Sequence, residues 1–257
     1  MANRATSAAS PFHDSGQSRY TRLAMSNLEY KPAYHRSLPH IQPPGATFFL
    51  TFRLAGSVPQ SVVEGWELEA KALARMLNNA ADDQAAARMK RDFQRRRFRE
   101  LEKLLDGVTT GPCWLKDERV ARLAMESLHY RDGQVYRLDA FCVLSNHIHA
   151  VFAPLADKST ESDDEIRYPA LQKIMHSLKM RIARQSNSLL GRKGPFWQDE
   201  TFDHYTRDYD EWIRVVKYTL INPVKAGLVN DWRAWPYSYC RPDLAQHVLR
   251  DLPKSRD

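Results

Sequence analysis

Two histidines separated by a single residue, His147 and His149, are the residues of this sequence best suited to chemistry. They lie in a run that alternates in the manner of a β-strand, so both imidazoles are predicted on one face of a sheet while Ile148 points to the other. Two neutral imidazoles on one face can supply two nitrogen ligands to a divalent metal ion. A His-x-His triplet also occurs by chance, and the spacing alone leaves open a pair of hydrogen-bonded core histidines.

A second candidate pair, Tyr218 and Asn222, lies in the segment predicted to form the last helix. Residues four apart differ by about 40° around a helix axis, so the phenol and the amide project from the same side. The apolar stripe of that helix runs elsewhere, through Ile213, Val216 and Leu220. Two other interpretations stay open: Tyr218 as a core residue, and Asn222, which precedes a proline, as a helix-end turn residue.

The two pairs make chemical sense together. Two imidazoles and one amide oxygen form an incomplete ligand shell for Mg²⁺ or Mn²⁺, which leaves positions for a phosphate oxygen. A tyrosine beside such an ion can attack the polarised phosphorus as a covalent nucleophile. The combined pattern therefore indicates phosphoryl transfer.

The composition limits the kind of protein and partner. With 257 residues, of which 43% are hydrophobic, the chain can bury a sizeable core, which excludes a mainly disordered protein. The longest apolar runs are far shorter than the ~20 residues of a membrane span, and residues 1–17 lack the apolar part of a secretory signal, so a cytoplasmic protein without membrane association is predicted. Three cysteines without a CxxC pair argue against disulfides or a cysteine zinc site. A net charge of +7 favours a polyanionic partner such as nucleic acid.

The elements that must position these residues alternate between strand and helix patterns. The predicted strands are 47–54, 135–144, 147–152 and 201–206, with a tight turn at Ser145-Asn146 between the second and the third. The predicted helices are a hairpin over 62–105, then 117–130, 170–185 and a last helix that begins at Asp208 and is stopped by Pro223. This order predicts an α+β fold of ferredoxin-like type, with an antiparallel sheet, helices on one face and an inserted helical hairpin.

The same patterns divide the chain into three regions. Residues 1–40 show no sustained period and are predicted to form a flexible N-terminal tail. Residues 41–240 are predicted to form a single domain that carries the candidate site, with the helical insertion at about 60–106 and a polar, acidic linker at 154–169. Residues 241–257 are predicted to form a C-terminal tail.

Several longer motifs follow one another in the order typical of a known family. Residues 141–149, FCVLSNHIH, form a strand, a turn and a strand with a histidine-hydrophobic-histidine (HUH) triplet. The further motifs are Leu178-Lys179, residues 196–200 (FWQDE), residues 202–204 (FDH) with Arg207-Asp208, and Tyr218 followed by residues 222–229 (NPVKAGLV). With these motifs the sequence resembles the REP-associated tyrosine transposases, single-tyrosine members of the HUH endonucleases, over about residues 47–235.

The resemblance implies a fold of the HUH endonuclease type and a specific function. His147 and His149 would bind the divalent metal, Mg²⁺ or Mn²⁺, and Asn222 would complete the shell. Tyr218 would cleave single-stranded or hairpin-forming DNA through a 5′-phosphotyrosine and free a 3′-hydroxyl. The implied protein is a metal-dependent endonuclease and strand transferase, a transposase that acts on palindromic repeats as a monomer or homodimer. Two features depart from the family pattern: the larger helical hairpin, and Ser145 where the family often has proline.

The candidate DNA contacts are Lys179, Trp197, Gln198, Arg207 and Lys225. The lysines and the arginine are predicted to bind backbone phosphates. Trp197, beside the glycine-containing loop 191–194, is predicted either to stack on a base or to be a buried structural residue. Two other functions stay open on the same fold: a non-catalytic nucleic-acid-binding regulator, and a metal-dependent phosphoester hydrolase that uses water and does not depend on Tyr218.

Overall fold

The computed structural model describes residue 43 and residues 45–107, 111–156 and 168–248. All of these residues belong to one compact unit, 35–257. The predicted N-terminal tail, 1–40, and most of the predicted linker, at 157–167, lie outside the described residues. Among the helices in the described ranges, none has the length and apolar character needed to cross a membrane.

A five-stranded antiparallel sheet forms the centre of the fold. Its strands are β1 (Phe48–Leu54), β2 (Tyr136–Val143), β3 (His147–Pro154), β4 (Trp197–Tyr205) and β5 (Ser238–Cys240). They lie in the order β4-β1-β3-β2-β5, and the neighbouring pairs are antiparallel. The first four strands therefore have the arrangement of a ferredoxin-like sheet, in which β1 and β3 are central. The predicted α+β class and the antiparallel sheet are confirmed.

The first five helices of the described ranges agree closely with the sequence patterns, whereas the sixth was not predicted. The helices are α1 (Gln60–Asn78), α2 (Asp83–Asp106), α3 (Glu118–Tyr130), α4 (Leu171–Leu189), α5 (Tyr209–Lys225) and α6 (Pro242–Val248). The predicted hairpin is confirmed as α1 and α2, and its second helix begins where the Asp82 side chain accepts the Ala85 N–H. Asp208 caps α5 in the same way through the Glu211 N–H, as the capping pattern predicted.

Helices cover both faces of the sheet. α3 and α4 pack on the face that carries Leu50, Phe52 and Ile148. The sequence predicts helices on one face of the sheet, and these two helices agree with that prediction. The opposite face, which carries Phe49 and Val151, is also covered, by residues of α1, α2, α5 and α6. The prediction was therefore incomplete. All seven residues of β1 are buried, and a strand that is buried along its whole length needs a cover on each face.

Pro223 does not stop the last long helix, contrary to the prediction. α5 continues through it to Lys225. A proline removes one N–H from the helix ladder, but its carbonyl can still accept, and the Pro223 carbonyl accepts a hydrogen bond from the Leu228 N–H at 2.9 Å. Asn222 consequently lies inside the helix, one turn after Tyr218, and is not a helix-end turn residue.

The C-terminal segment is more ordered than predicted. Residues 242–248, predicted as part of a tail, form α6, whose Leu244 and Val248 are buried. The three-residue strand β5 pairs with β2, with Cys240 opposite Ala140. Both elements are too short to show a clear period in the sequence, and their pairing with distant residues determines them.

Candidate functional site

The central strands bring the two histidines together on one face of the sheet. In the antiparallel register of β1 and β3, Thr51 lies opposite His149. Ile148 is buried in the core on the other face, which is the alternation expected of a strand. The Nε2 atoms of His147 and His149 are 3.0 Å apart, and both side chains are buried. The imidazoles therefore form one compact pair of nitrogen donors.

Hydrogen bonds to the Nδ1 atom of each ring determine which nitrogen is free to bind a metal ion. Asn146 Oδ1 lies 2.7 Å from His147 Nδ1, and the Asn146 amide nitrogen donates to the Leu105 carbonyl at 3.2 Å. Because the Asn146 amide nitrogen donates to the Leu105 carbonyl, the Asn146 amide oxygen is the atom that faces the imidazole ring. His147 Nδ1 must therefore donate a hydrogen bond to this oxygen. The Thr51 hydroxyl lies 2.8 Å from His149 Nδ1 and can accept in the same way. Such bonds leave Nε2 of each ring as the lone-pair donor, as in metal-binding histidines.

Burial keeps both imidazoles neutral at neutral pH. Desolvation lowers the pKa of His147 to about 3. Desolvation also lowers the pKa of His149 well below its ordinary value, and the neighbouring His147 and the charge of Lys225 lower it further. A histidine binds a metal in its deprotonated form. The pair is therefore in the protonation state that a metal ion requires.

Helix α5 places Tyr218 beside the histidines. The ring centroids of Tyr218 and His149 are 5.6 Å apart. One turn later, Asn222 is fully buried, and its amide nitrogen donates to the Tyr218 carbonyl at 2.8 Å. The Asn222 side-chain oxygen is buried and has no hydrogen-bond partner among the described residues. An amide oxygen in this state is suited to a cation.

A further residue, Glu102 of the inserted hairpin, lies in the same place and was not predicted. One of its carboxylate oxygens accepts a hydrogen bond from the Tyr218 hydroxyl. The same oxygen is 3.5 Å from His149 Nε2. Ligand atoms of Glu102, His147 and His149 all lie within 4.8 Å of one another. We call these three residues, with Tyr218 and Asn222, the site cluster.

The sequence contains one signal for Glu102. Phe98, Leu101 and Leu105 lie on the apolar side of α2 at helical spacing. Glu102 follows Phe98 by four residues and precedes Leu105 by three, so it occupies a position on that same side. A glutamate is almost never fully buried unless it is paired. Without the fold, the partner of such a glutamate is unknown, and sequence reasoning therefore missed it.

The surroundings of Glu102 suppress its charge. Burial, with a smaller contribution from Asp106, raises the pKa of the Glu102 carboxyl to about 8, and Lys225 opposes the shift. The Lys225 ammonium lies 4.0 Å from the centre of the Tyr218 ring. Lys225, one of the predicted DNA contacts, therefore adjoins the site cluster. A cation in this position favours the ionised form of a nearby carboxyl group.

The donor set of the site cluster fits a divalent metal ion. It combines the imidazoles of His147 and His149 with the Glu102 carboxylate, a mixture of nitrogen and oxygen donors that can bind such an ion. Glu102 Oε1 and Asn222 Oδ1 are both buried without a hydrogen-bond partner among the described residues. Buried polar atoms are normally satisfied, so each of these two oxygens lacks a partner that it would ordinarily have.

Trp197 is a structural residue of the core. It is 7% exposed, its ring centroid lies 5.0 Å from that of Phe52, and its indole N–H donates to the Lys179 carbonyl at 3.1 Å. The predicted base-stacking role is therefore wrong, and the alternative of a buried tryptophan is correct. The physical reason is that β4 begins at Trp197 rather than at residue 201, so the side chain packs into the core between the sheet and α4.

Three other predicted DNA contacts lie apart and form intramolecular bonds. The Lys179 ammonium donates to the Gln198 carbonyl at 2.6 Å, which ties α4 to the start of β4, and the Gln198 side chain is half-buried. Arg207 forms two hydrogen bonds to the Glu211 carboxylate beyond the other end of β4. The ends of this nine-residue strand are about 26 Å apart. These residues do not form one patch, and their contacts with DNA stay predictions.

Comparison with known proteins gives relatives of one kind, although no family model matches the chain. Over 111 residues the chain is 28% identical to the REP-associated tyrosine transposase of Escherichia coli strain K12. This aligned stretch covers 43% of this chain and 58% of that protein. Over 113 residues it is 29% identical to a Haemophilus influenzae protein of the same family name. This second aligned stretch covers 42% of this chain and 61% of that protein. The chain thus matches about three fifths of the length of these curated relatives.

A solved structure described as a REP-associated tyrosine transposase bound to a REP hairpin aligns with a TM-score of 0.44 and 16% sequence identity. The alignment covers 88% of this chain and 94% of that chain. The resemblance inferred from the sequence motifs is confirmed by the curated relatives.

Proposed function

We propose that this chain, a homologue of REP-associated tyrosine transposases, is a DNA endonuclease and strand transferase with Tyr218 as its nucleophile. The observation that carries the proposal is the position of Tyr218, whose ring centroid lies 5.6 Å from that of His149. An attacking hydroxyl and the ligands of a metal ion must be this close, because both act on the same phosphate. We propose single-stranded or hairpin-forming DNA as the substrate.

We propose the two histidines and Asn222 as the ligands of the metal ion. His147, His149 and Asn222 would hold Mg²⁺ or Mn²⁺, which when bound supplies positive charge that polarises the phosphate. Thr51 and Asn146 orient the two imidazoles in advance through their Nδ1 atoms, so the rings need no rearrangement during the reaction. The site would therefore be preorganised by the central strands of the sheet.

Cleavage would begin with attack of the Tyr218 oxygen on phosphorus. A bond forms between this oxygen and the phosphorus, and the bond between the phosphorus and the 3′ oxygen breaks. The phenol gives up its proton, the departing 3′ oxygen takes one up, and the products are a 5′-phosphotyrosine and a 3′-hydroxyl. Attack of another 3′-hydroxyl on the phosphotyrosine reverses these changes and joins two strands. The covalent intermediate would thus serve both cutting and transfer.

The charge of the protein supports a nucleic acid as the substrate. The chain has a net charge of +7, and long-range attraction of a phosphate backbone follows from such an excess. Next to the proposed nucleophile, the Lys225 ammonium lies 4.0 Å from the centre of the Tyr218 ring. A phosphate that approaches Tyr218 would therefore meet a cation.

The test is the formation of a covalent adduct between protein and DNA. Full-length protein is mixed with Mn²⁺ and with 3′-labelled hairpin oligonucleotides taken from palindromes that flank its gene, and the products are separated under denaturing conditions. We expect a labelled adduct, and peptide mass spectrometry should locate the phosphate on Tyr218. Binding without cleavage would indicate a regulator instead, and cleavage without an adduct would indicate a hydrolase that uses water.

A further inference from the structure

We infer that Glu102, supplied by the inserted helical hairpin, is a carboxylate ligand of the divalent cation at the site cluster. The inference rests on the proposed function, because it assigns one more ligand to the same site. Glu102 lies outside every motif that carries the resemblance to the transposases. The inserted hairpin, α1 and α2, would accordingly be part of the active site of this protein.

The separations between the donor atoms support the assignment. Glu102 Oε2 is 3.5 Å from His149 Nε2, and His149 Nε2 is 3.0 Å from His147 Nε2. Adjacent ligands at about 2.1 Å from a six-coordinate cation, at right angles to each other, are about 3 Å apart. These two separations are therefore close to the spacing of ligands that share one ion, and the ligand atoms of the three residues all lie within 4.8 Å of one another.

The second carboxylate oxygen of Glu102 independently supports the assignment of this residue as a cation ligand. Glu102 is 7% exposed, and its Oε1 atom is buried without a hydrogen-bond partner among the described residues. Leaving an acceptor of this kind unpaired in the interior is unfavourable, and more so when it is charged. A divalent cation would balance the charge of the carboxylate. It would also make this site more suitable for Mg²⁺, which prefers oxygen ligands, than two imidazoles and an amide alone.

Other contacts of α2 hold the carboxylate in place. The Leu105 carbonyl, one turn after Glu102, accepts the hydrogen bond from Asn146 in the turn that precedes the histidines. Phe98, one turn before Glu102, packs edge-on against Tyr218 with ring centroids 5.5 Å apart. The turns on either side of Glu102 thus contact the strand that carries the histidines and the helix that carries the nucleophile. A ligand position supported on both sides in this way is rigid.

Glu102 Oε2 lies close to both Tyr218 and His149, so binding of Glu102 to a cation would affect the hydrogen bond of Tyr218. The Tyr218 hydroxyl donates to Glu102 Oε2, which is also the oxygen near His149. An oxygen that is bound to a cation is a weaker hydrogen-bond acceptor, so engagement of Glu102 with the ion would loosen the phenol and release it for attack. A purely structural Glu102 would hold Tyr218 without affecting cation affinity. The two roles therefore differ in a measurement that needs neither DNA nor turnover.

Isothermal titration calorimetry with MnCl₂ on the full-length, metal-free protein measures this affinity. Glu102→Gln keeps the size of the side chain and removes its charge. Glu100→Gln is the matched control, because Glu100 lies two residues earlier on α2 with a 42% exposed side chain paired to Arg97. We expect Glu102→Gln to weaken Mn²⁺ binding by about tenfold or more. Glu102→Asp should recover part of the affinity, and Glu100→Gln should bind as the wild type does.

Further variants separate the outcomes. Tyr218→Phe should bind Mn²⁺ at least as tightly as the wild type, because the competing phenol is removed. Equal affinity of Glu102→Gln and wild type, with binding lost in His147→Ala, would overturn the assignment of Glu102 and leave the proposed function standing. Absence of Mn²⁺ binding by the wild type would overturn both. Thermal melting followed by circular dichroism identifies folded variants, and Glu102→Asp carries the comparison if Glu102→Gln does not fold.

Discussion

The Tyr218 hydroxyl donates a hydrogen bond to the carboxylate of Glu102, a residue 116 positions earlier in the chain. The bond joins the helix that carries the proposed nucleophile to the hairpin inserted between β1 and β2. His149 contacts both partners, the carboxylate at 3.5 Å and the tyrosine ring at a centroid distance of 5.6 Å. The insertion and the strand with the histidines therefore meet at Tyr218.

Replacing the proposed nucleophile, Tyr218, should abolish the covalent adduct. Tyr218→Phe keeps the ring that packs against Phe49 and His149 and removes the attacking oxygen, so we expect DNA binding close to that of the wild type and no detectable adduct. The measurement is a denaturing gel of labelled hairpin DNA. Tyr209→Phe, at the half-exposed start of the same helix, is the control and should form the adduct normally. A wild-type yield from Tyr218→Phe would remove this residue from the mechanism.

Removing either histidine should stop cleavage while DNA binding persists. His147→Ala and His149→Ala each delete one of two nitrogen donors that lie 3.0 Å apart, and phosphate contacts elsewhere supply most of the affinity for DNA. Cleavage assays and fluorescence anisotropy on the same variants separate the two effects. Undiminished cleavage in the presence of a strong chelator would contradict a metal-dependent reaction.

The stability of the metal-free protein should fall between about pH 6.5 and pH 8. Burial raises the pKa of Glu102 from 4.5 to about 8, so its protonated form stabilises the fold below pH 4.5 and this stabilisation is lost as the pH rises through 8. The pKa of His147 is lowered from 6.5 to about 3, so its contribution is complete above pH 6.5 and is lost on acidification. Above pH 6.5 the effect of Glu102 therefore dominates that of His147.

The expected decrease in unfolding free energy over this interval is about 2 kcal/mol, at 1.36 kcal/mol for each pH unit. Chemical denaturation in EDTA at several pH values measures it. Glu102→Gln has no titrating group and should remove the decrease. A pH dependence that is the same in wild type and Glu102→Gln would show that this carboxyl titrates normally in the folded protein.

Trp197→Ala should act on stability rather than on DNA recognition. The side chain is buried against Phe52 and donates to the Lys179 carbonyl, so its removal should lower the unfolding free energy by about 3–5 kcal/mol. At a temperature where the variant is folded, its affinity for hairpin DNA should equal that of the wild type. A normal melting temperature combined with weaker DNA binding would restore the stacking role that the buried position contradicts.

Lys225→Ala should reduce the salt dependence of DNA binding. Lys225 is an exposed residue whose ammonium lies beside the Tyr218 ring, and loss of one contact to single-stranded DNA should make the slope of log affinity against log salt shallower by about 0.7. Arg207→Ala is the comparison, because the Glu211 carboxylate already neutralises that guanidinium, and we expect a smaller change. Titrations by fluorescence anisotropy at four salt concentrations give both slopes.

Local patterns were sufficient for most of the elements. The alternation at 147–149 placed both histidines on one face, and Asp208 marked the start of the last long helix, because pleat and capping depend only on residues near in sequence. The order of these elements then led to the ferredoxin-like sheet. The motifs around Tyr218 led to the resemblance that the curated relatives confirm.

Contacts between distant residues were decided by the tertiary structure alone. Glu102 and Asn146 acquire their roles because α2 packs against β3 and α5, and Trp197 is buried because β4 begins at that residue. The sequence shows which residues of a helix or strand share a face, since that follows from a fixed period along the chain. It does not show which distant element covers that face, because this depends on the packing of the whole core. The periodic pattern therefore identified the histidines and the tyrosine, and only the packing of the inserted hairpin added the carboxylate between them.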